Sequence, residues 1–152
     1  MTFEIVEIAP QPFAYLHRTA PMEGIGQTMG ECFDSLGRTF AQTGVTPVGP
    51  PLSYYTAVDN KTTTFDVGFP VRAEDRDRLA KAGLEIGVSP SGKVMKGVHT
   101  GSYDTLPQTY AAMQAEMARQ NLKAGEAMWE VYMSMPETPP EKTVTEVYWP
   151  IN

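Results

Sequence analysis

Phe65-Asp66-Val67-Gly68-Phe69-Pro70-Val71 and Thr145-Glu146-Val147-Tyr148-Trp149-Pro150-Ile151 share one pattern and lie 80 positions apart in the chain. From its second residue, each stretch reads acidic residue, Val, any residue, aromatic residue, Pro, β-branched residue. A pattern repeated at this distance indicates one strand-rich module present twice. Two modules in a chain this short must pack against each other, so we expect a ligand cleft at their seam.

The composition predicts a single domain, 1–152. The chain has 152 residues, of which 41% are hydrophobic, and a formal charge of −6 with its twelve Lys and Arg scattered, which argues against direct nucleic-acid binding. A single cysteine, Cys32, excludes an internal disulfide, and two histidines with one cysteine predict no metal site and no cofactor. Glu4 and Glu7 stand where a secretory signal would be basic and then apolar, and no apolar run reaches membrane-span length. We therefore expect a cytoplasmic protein without a membrane segment.

Periodicity places similar elements in the two copies. The first copy, about 1–71, has strand patterns at 3–8, 13–19, 52–58 and 62–71, and a helical stripe that ends at Gly44. The second copy, about 83–152, has strand patterns at 84–88, 94–100, 127–135 and 143–151, and a helical stripe with Leu106, Tyr110, Met113 and Met117. Between them, 72–82 is rich in charge and is expected to be an exposed link. The predicted fold class is α+β: a duplicated strand-helix-strand-strand module, an antiparallel sheet with two helices on one face, and a cleft between the repeats.

A carboxylate in the seventh predicted strand is the main candidate for chemistry. Side chains alternate along a strand, so one face carries Met128, Glu130 and Tyr132, and the other carries Trp129, Val131 and Met133. We assign Trp129 to the core under the helices, which puts Glu130 on the uncovered face. There it could neutralise a cationic ligand or act as an acid or base with a pKa raised by burial. The alternative is an ordinary surface glutamate.

Aromatic residues recur in the predicted strands and support a binding surface. Because neighbouring residues in a strand serve opposite faces, some of these rings must line the face without helices; they are Tyr15, Tyr54, Tyr55, Phe69, Tyr148 and Trp149. Aromatic walls around a carboxylate suit planar, apolar or cationic organic molecules. The same rings could instead complete the core or a homodimer interface. Glu146, on the same face as Tyr148, is a weaker candidate.

Three short motifs together resemble the GyrI-like small-molecule-binding domain. They are His99-Thr100-Gly101-Ser102-Tyr103, Trp129-Glu130-Val131-Tyr132 and Thr145-x-Val147-x-x-Pro150-Ile151. That family includes effector-binding domains of AraC-type and multidrug-responsive transcription activators and is built from a duplicated module. The resemblance implies that Glu130 and Tyr132 sit in an aromatic-lined cleft, with Ser53 and Tyr55 as their counterparts in the first copy. The chain has no helix-turn-helix segment, so we expect a stand-alone member.

The function expected from residues and resemblance together is binding of a small aromatic or cationic organic molecule. Glu130 is the charge partner, and the expected ligand-binding aromatic residues are Tyr132, Tyr55, Tyr15, Tyr148 and Trp149. A first alternative is a hydrolase of reactive xenobiotics, such as cyclopropane-bearing genotoxins, in which Glu130 and Tyr132 are catalytic. A second is a protein-interaction module that shields a topoisomerase or contacts a regulator.

Overall fold

The computed structural model describes residues 3–135 and 137–152. In that part of the chain, eight strands form one antiparallel sheet and three α-helices pack on it. The strands are β1 (Glu4–Ile8), β2 (Pro12–Pro21), β3 (Leu52–Val58), β4 (Thr62–Pro70), β5 (Glu85–Val88), β6 (Gly92–Thr100), β7 (Met128–Tyr132) and β8 (Val144–Pro150). The helices are α1 (Ile25–Thr43), α2 (Arg76–Lys81) and α3 (Leu106–Arg119). None of the described helices is both long enough and apolar enough to cross a membrane.

The strand order is that of a duplicated module with a pseudo-twofold axis. The sheet runs β1-β6-β8-β7-β3-β4-β2-β5, so β3 and β7, the third strands of the two copies, are neighbours at its centre. The first strand of each copy pairs with the second strand of the other, β1 with β6 and β5 with β2. The two copies are therefore interlocked at both edges of the sheet, and their seam runs between β3 and β7.

The predicted α+β class, with an antiparallel sheet and a helix from each copy on one face, is confirmed. The segment after the first copy is mostly exposed, as expected of a link, but it also contains helical structure that was not predicted. It forms a short 3-10 turn, Ala73–Asp75, and then α2, in which Leu79 is fully buried against the first core. A single apolar residue among many charges gives no helical periodicity, which is why the sequence alone did not reveal this helix.

Each long helix covers one half of the same sheet face. Cys32, Leu36 and Phe40 of α1 pack over β2 and β4, and Met113 and Met117 of α3 pack over β6 and β8. Cross-strand partners share a face of the sheet. Val67, Ser53, Glu130 and Val147 lie side by side in that order across four neighbouring strands, and both valines belong to the helix-covered cores. Glu130 therefore lies on the face that the helices cover.

This placement shows that the face assignment made from the sequence was wrong. Trp129 lies on the face opposite the helices, where it stacks on Tyr148 at a centroid distance of 5.4 Å and packs with Val94. Strand alternation fixes which residues share a face, but not which face the helices cover. The large apolar Trp129 suggested a helix-covered position. The prediction failed because this sheet has an apolar layer on both faces.

Candidate functional site

The candidate site is built around Glu130 at the centre of the sheet. Glu130 pairs directly with Ser53 across the seam. The two residues are counterparts in the repeat, so the pseudo-twofold axis passes between them. One counterpart carries a carboxylate and the other a small hydroxyl, which makes the centre of the domain chemically asymmetric. Glu130 is only 3% exposed.

Two phenols form a hydrogen-bond chain that ends at the carboxylate. The Tyr132 hydroxyl donates to Glu130 Oε1 at 2.9 Å, and the Tyr55 hydroxyl lies 3.3 Å from the Tyr132 hydroxyl. Since the Tyr132 proton is directed to Glu130, the Tyr55 hydroxyl is the donor in the second bond. Within residues 3–135 and 137–152, no Lys, Arg or His side chain forms an ion pair with Glu130. The structure thus holds a buried carboxylate whose described partners are neutral.

The titration of these groups reflects that burial. Burial raises the pKa of the Glu130 carboxyl to about 7, and the phenols of Tyr132 and Tyr55 offset part of the rise. Burial and the neighbouring Glu130 charge raise the pKa of both Tyr55 and Tyr132, so both phenols stay neutral near pH 7. Glu130 is therefore about half ionised at neutral pH, and a positive charge placed beside it would favour its ionised form.

Aromatic and thioether side chains surround the hydrogen-bonded groups. Phe33 from α1 meets the Tyr132 ring edge-on at 5.8 Å, and Tyr103 meets it edge-on at 6.1 Å. Ser53 donates to the Met29 sulfur of α1 at 3.3 Å. Tyr103 is 51% exposed while Glu130 is buried, so the aromatic cluster around Tyr132 extends from the carboxylate to the surface.

A buried histidine, His99, holds the turn that carries Tyr103 through a hydrogen bond to its backbone. His99 Nε2 donates to the Ser102 carbonyl at 2.9 Å, so His99 Nδ1 accepts from the Thr109 hydroxyl at 2.7 Å. Gly101 has a φ of +128°, a conformation that glycine adopts readily. The motif from His99 to Tyr103 is thus a rigid support for one wall of the site.

The structure brings some of the predicted site residues together and separates others. Glu130, Tyr132 and Tyr55 meet as described. Tyr15 and Tyr148 are not beside Glu130: Tyr15 stacks on Phe13 and Tyr148 on Trp129, on the opposite face. Trp149 shares the face of Glu130 but packs against Tyr110 of α3 and donates to the Gly125 carbonyl.

Two wall residues were not among the predicted site residues. Phe33 lies in the first helical stripe, to which no site residue was assigned, and Tyr103 appeared only as the last residue of a motif. Their approach to Tyr132 depends on how α1 and the turn before α3 lie over the sheet. The pattern of polar and apolar residues along one sequence does not show how these elements pack over the sheet.

The opposite face carries a second Glu-x-Tyr pair in a different setting. The Tyr148 hydroxyl donates to Glu146 at 2.6 Å, and Glu146 forms an ion pair with Lys96 at 3.3 Å. This carboxylate is therefore already neutralised. Beside it lies a cavity of about 330 Å³ whose lining includes Leu52, Trp129 and Val131. Of these two Glu-x-Tyr pairs, the one whose described partners are neutral lies on the helix-covered face.

The fold and the site define a small-molecule-binding domain with a buried acid at the seam of two repeats. The family described as GyrI-like small molecule binding domain matches residues 1–152, the whole chain, and the chain belongs to this family. The resemblance read from the three motifs is confirmed. A search of curated proteins gave no match.

Solved structures share the fold at low sequence identity. SAV2435 bound to tetraphenylphosphonium has a TM-score of 0.73 and 14% identity, with 100% of this chain and 94% of that chain covered. The C-terminal domain of EcmrR has a TM-score of 0.74 and 14% identity, with 99% and 97% covered. A hydrolase encoded by lin2189 from Listeria innocua has a TM-score of 0.68 and 15% identity, with 99% and 91% covered. At these identities the likeness establishes the fold.

Proposed function

We propose that this domain binds aromatic organic cations, with the positive charge facing Glu130 and the aromatic groups between Phe33, Tyr103 and Tyr132. The observation that carries the proposal is a buried carboxylate that has no cationic partner in the described part of the chain. Burying an unpaired ionised carboxylate is costly, and a ligand cation removes that cost by pairing with it. One neighbour in fold was solved with tetraphenylphosphonium, a cation of this class.

The aromatic surroundings favour the same ligand class. Ring faces carry negative potential and attract cations, and the attraction strengthens where water is excluded. Phe33 and Tyr103 both contact the Tyr132 ring, so a ligand inserted between them would meet ring surface beside the carboxylate. The tyrosine hydroxyl chain holds the carboxylate in place and spreads its charge over three oxygen-bearing groups. These features support a bulky aromatic cation over a small, strongly hydrated one.

Calorimetric titration with tetraphenylphosphonium tests this proposal. At pH 8 we expect wild-type protein to bind it and Glu130→Gln to bind at least about tenfold more weakly, because the variant keeps the shape of the site but lacks its charge. Glu146→Gln is the matched control: it removes a carboxylate with the same i+2 tyrosine on the other face, and its affinity should equal that of wild type. Equal affinity of wild type and Glu130→Gln would refute the role of Glu130.

The affinity should also depend on pH in a defined direction. The cation binds the ionised carboxylate, whose pKa in the free protein is about 7. The ionised fraction rises about tenfold between pH 6 and pH 8, so the wild-type dissociation constant should fall by about tenfold. In Glu130→Gln the dissociation constant should be flat over this range. A pH dependence retained in the variant would assign the effect to another group.

A hydrolase is the second candidate, and the pKa of Glu130 is the observation that favours it. A carboxylate with a pKa of about 7 is matched to general-base work at neutral pH. In that reaction Glu130 takes a proton from water as the water oxygen bonds to an electrophilic cyclopropane carbon. The ring C–C bond breaks, its electrons move onto a conjugated carbonyl oxygen, and the Tyr132 phenol turns from the now protonated Glu130 to donate a hydrogen bond to that oxygen. The enolate then takes the proton back from Glu130, which completes the addition of one water.

Product analysis separates the two candidates. A hydrolase incubated with a cyclopropane-bearing electrophile yields a product heavier by one water, and Glu130→Gln loses the rate while keeping much of the affinity. A binding protein returns every compound intact, and its Glu130→Gln variant loses affinity. Failure of all compounds to bind, with capture of a stable topoisomerase complex, would favour the protein-interaction alternative instead.

A further inference from the structure

Thr145 presents a buried hydroxyl on the floor of the site that the fold does not use. It is fully buried, and within residues 3–135 and 137–152 its Oγ1 is the one buried side-chain nitrogen or oxygen atom without a hydrogen-bond partner. Leaving a buried hydroxyl unpaired destabilises a folded protein. An unpaired group of this kind therefore requires an explanation.

The position of Thr145 connects it to the site. Thr145 on β8 pairs directly with Tyr132 on β7, one strand from Glu130 and on the same face of the sheet. On its other side it pairs with His99, whose two ring nitrogens are already bonded to Thr109 and to the Ser102 carbonyl. Thr145 is thus beside the phenol that holds Glu130, and its histidine neighbour is not free to bond it.

Comparison of the two repeats shows that the fold does not require a hydroxyl at this position. The 80-residue repeat makes Phe65 the counterpart of Thr145, and Phe65 is also fully buried and packs against Tyr55 at 5.9 Å. The first copy therefore fills the equivalent place with an apolar ring. A valine, which has the shape of threonine, would fill the second place without an unpaired group.

Tyr103 is the other polar group near Thr145. Burial and the Glu130 charge raise the pKa of Tyr103, and the Thr145 hydroxyl, which lies near the phenol as a hydrogen-bonding group, offsets part of that rise. The distance and angles between the two hydroxyls do not reach those of a hydrogen bond, so Thr145 Oγ1 stays unpaired, and Tyr103 is half-exposed. A ligand group that displaced Tyr103 would therefore lie against the Thr145 hydroxyl.

We infer that Thr145 is a specificity-determining residue that donates a hydrogen bond to an acceptor on the bound ligand. The inference deepens the proposed function and rests on it. It defines the ligand class as an aromatic cation that also carries a carbonyl or ether oxygen away from its charge. The phenols already donate toward Glu130, so the Thr145 proton is the uncommitted buried donor, and an oxygen acceptor is the group that matches it.

Matched cations test the inference. The probes are tetraphenylphosphonium and its (3-acetylphenyl) and (4-acetylphenyl)triphenylphosphonium analogues, which keep the charge and add one carbonyl. Wild type and Thr145→Ser should bind the better acetyl isomer about fivefold more tightly than the parent, the effect of one net hydrogen bond. Thr145→Val should bind all three with the parent's affinity. Glu146→Gln, on the opposite face of the sheet, is the control and should keep the carbonyl preference.

A stability measurement gives an independent readout. Without ligand, the thermal midpoint of Thr145→Val should equal or exceed that of wild type, because no native hydrogen bond is lost. A lower midpoint would show that the hydroxyl is paired in the folded protein and would overturn the inference, as would a carbonyl preference that is absent from wild type or that persists in Thr145→Val. If wild type binds none of the probes, the cation-binding proposal fails and the ligand role of Thr145 fails with it. Normal binding of the parent without a carbonyl preference overturns only the role of Thr145.

Discussion

Replacing Glu130 by Gln should stabilise the protein at high pH and leave its stability at low pH almost unchanged. Folding raises the pKa of this carboxyl from 4.5 to about 7, so the folded state binds the proton more tightly than the unfolded state. Below pH 4.5 both states are protonated and the group has little effect. As the pH rises from 4.5 to 7, the unfolded state gains by ionising first, so stability falls; above pH 7 the full penalty is present.

The size of the effect follows from the same values. The interval between 4.5 and about 7 corresponds to about 3 kcal/mol of folding free energy. Glutamine cannot ionise and escapes this penalty, and the Tyr132 bond to the ionised carboxylate is already included in the folded-state pKa of about 7. At pH 8 we therefore expect Glu130→Gln to be more stable than wild type by about 3 kcal/mol, or about 6 to 12 °C in thermal midpoint.

Urea unfolding of both proteins from pH 4.5 to pH 8.5 is the assay. The quantity of interest is the difference in unfolding free energy between wild type and Glu130→Gln at each pH, because pH effects of other groups cancel in it. Glu146→Gln, a replacement in the ion pair with Lys96, shows what the loss of a paired carboxylate does. A wild-type to Glu130→Gln difference that stays constant across the range would refute the claim that Glu130 is a buried, unpaired acid.

Three further perturbations follow from the structure. Tyr132→Phe removes the phenol that donates to Glu130, so it should raise the pKa of that carboxyl above 7 and move the pH midpoint of cation binding upward, as calorimetry across pH would record. Gly68→Ala should prevent stable folding, seen as a lost unfolding transition, because a Cβ there would lie 2.0 Å from the Ala14 carbonyl oxygen. His99→Leu removes two hydrogen bonds beneath the Tyr103 turn and should lower the unfolding free energy by about 1 to 3 kcal/mol in urea titration, whereas an unchanged value would contradict a supporting role.

The fold class could be predicted from the sequence because the repeated segments consist of residues with strong secondary-structure preferences. The repeated Pro-containing strands and the two apolar stripes predicted the class and a seam between the two copies. That the third strands, β3 and β7, form this seam was seen only in the structure. The exchange of edge strands was not predicted, since the partner of β1 or β5 depends on register between distant segments. The helix at 76–81 was missed because Leu79 is a lone apolar residue in a charged segment.

The site was predicted in part for a related reason. Glu130, Tyr132 and Tyr55 lie on neighbouring strands, and alternation places them on one face once their register is known. Alternation could not show which face the helices cover, and the assignment of Trp129 to the helix-covered core gave the wrong face. Phe33 and Tyr103 reach Tyr132 from other elements of the fold, and Thr145 stands out only because its hydroxyl is unpaired. Contacts between distant segments leave no local signal of this kind in one sequence.

Proton release on ligand binding is the sharpest test of whether a cation pairs with Glu130. Tetraphenylphosphonium is titrated into wild type and Glu130→Gln at pH 7 in two buffers that differ in ionisation enthalpy, and the difference in heat counts the protons released. Because Glu130 has a pKa of about 7, pairing with the cation should release about 0.5 proton per ligand from wild type and none from the variant. Binding to wild type without proton release would show that the cation does not pair with this carboxylate and would contradict the account.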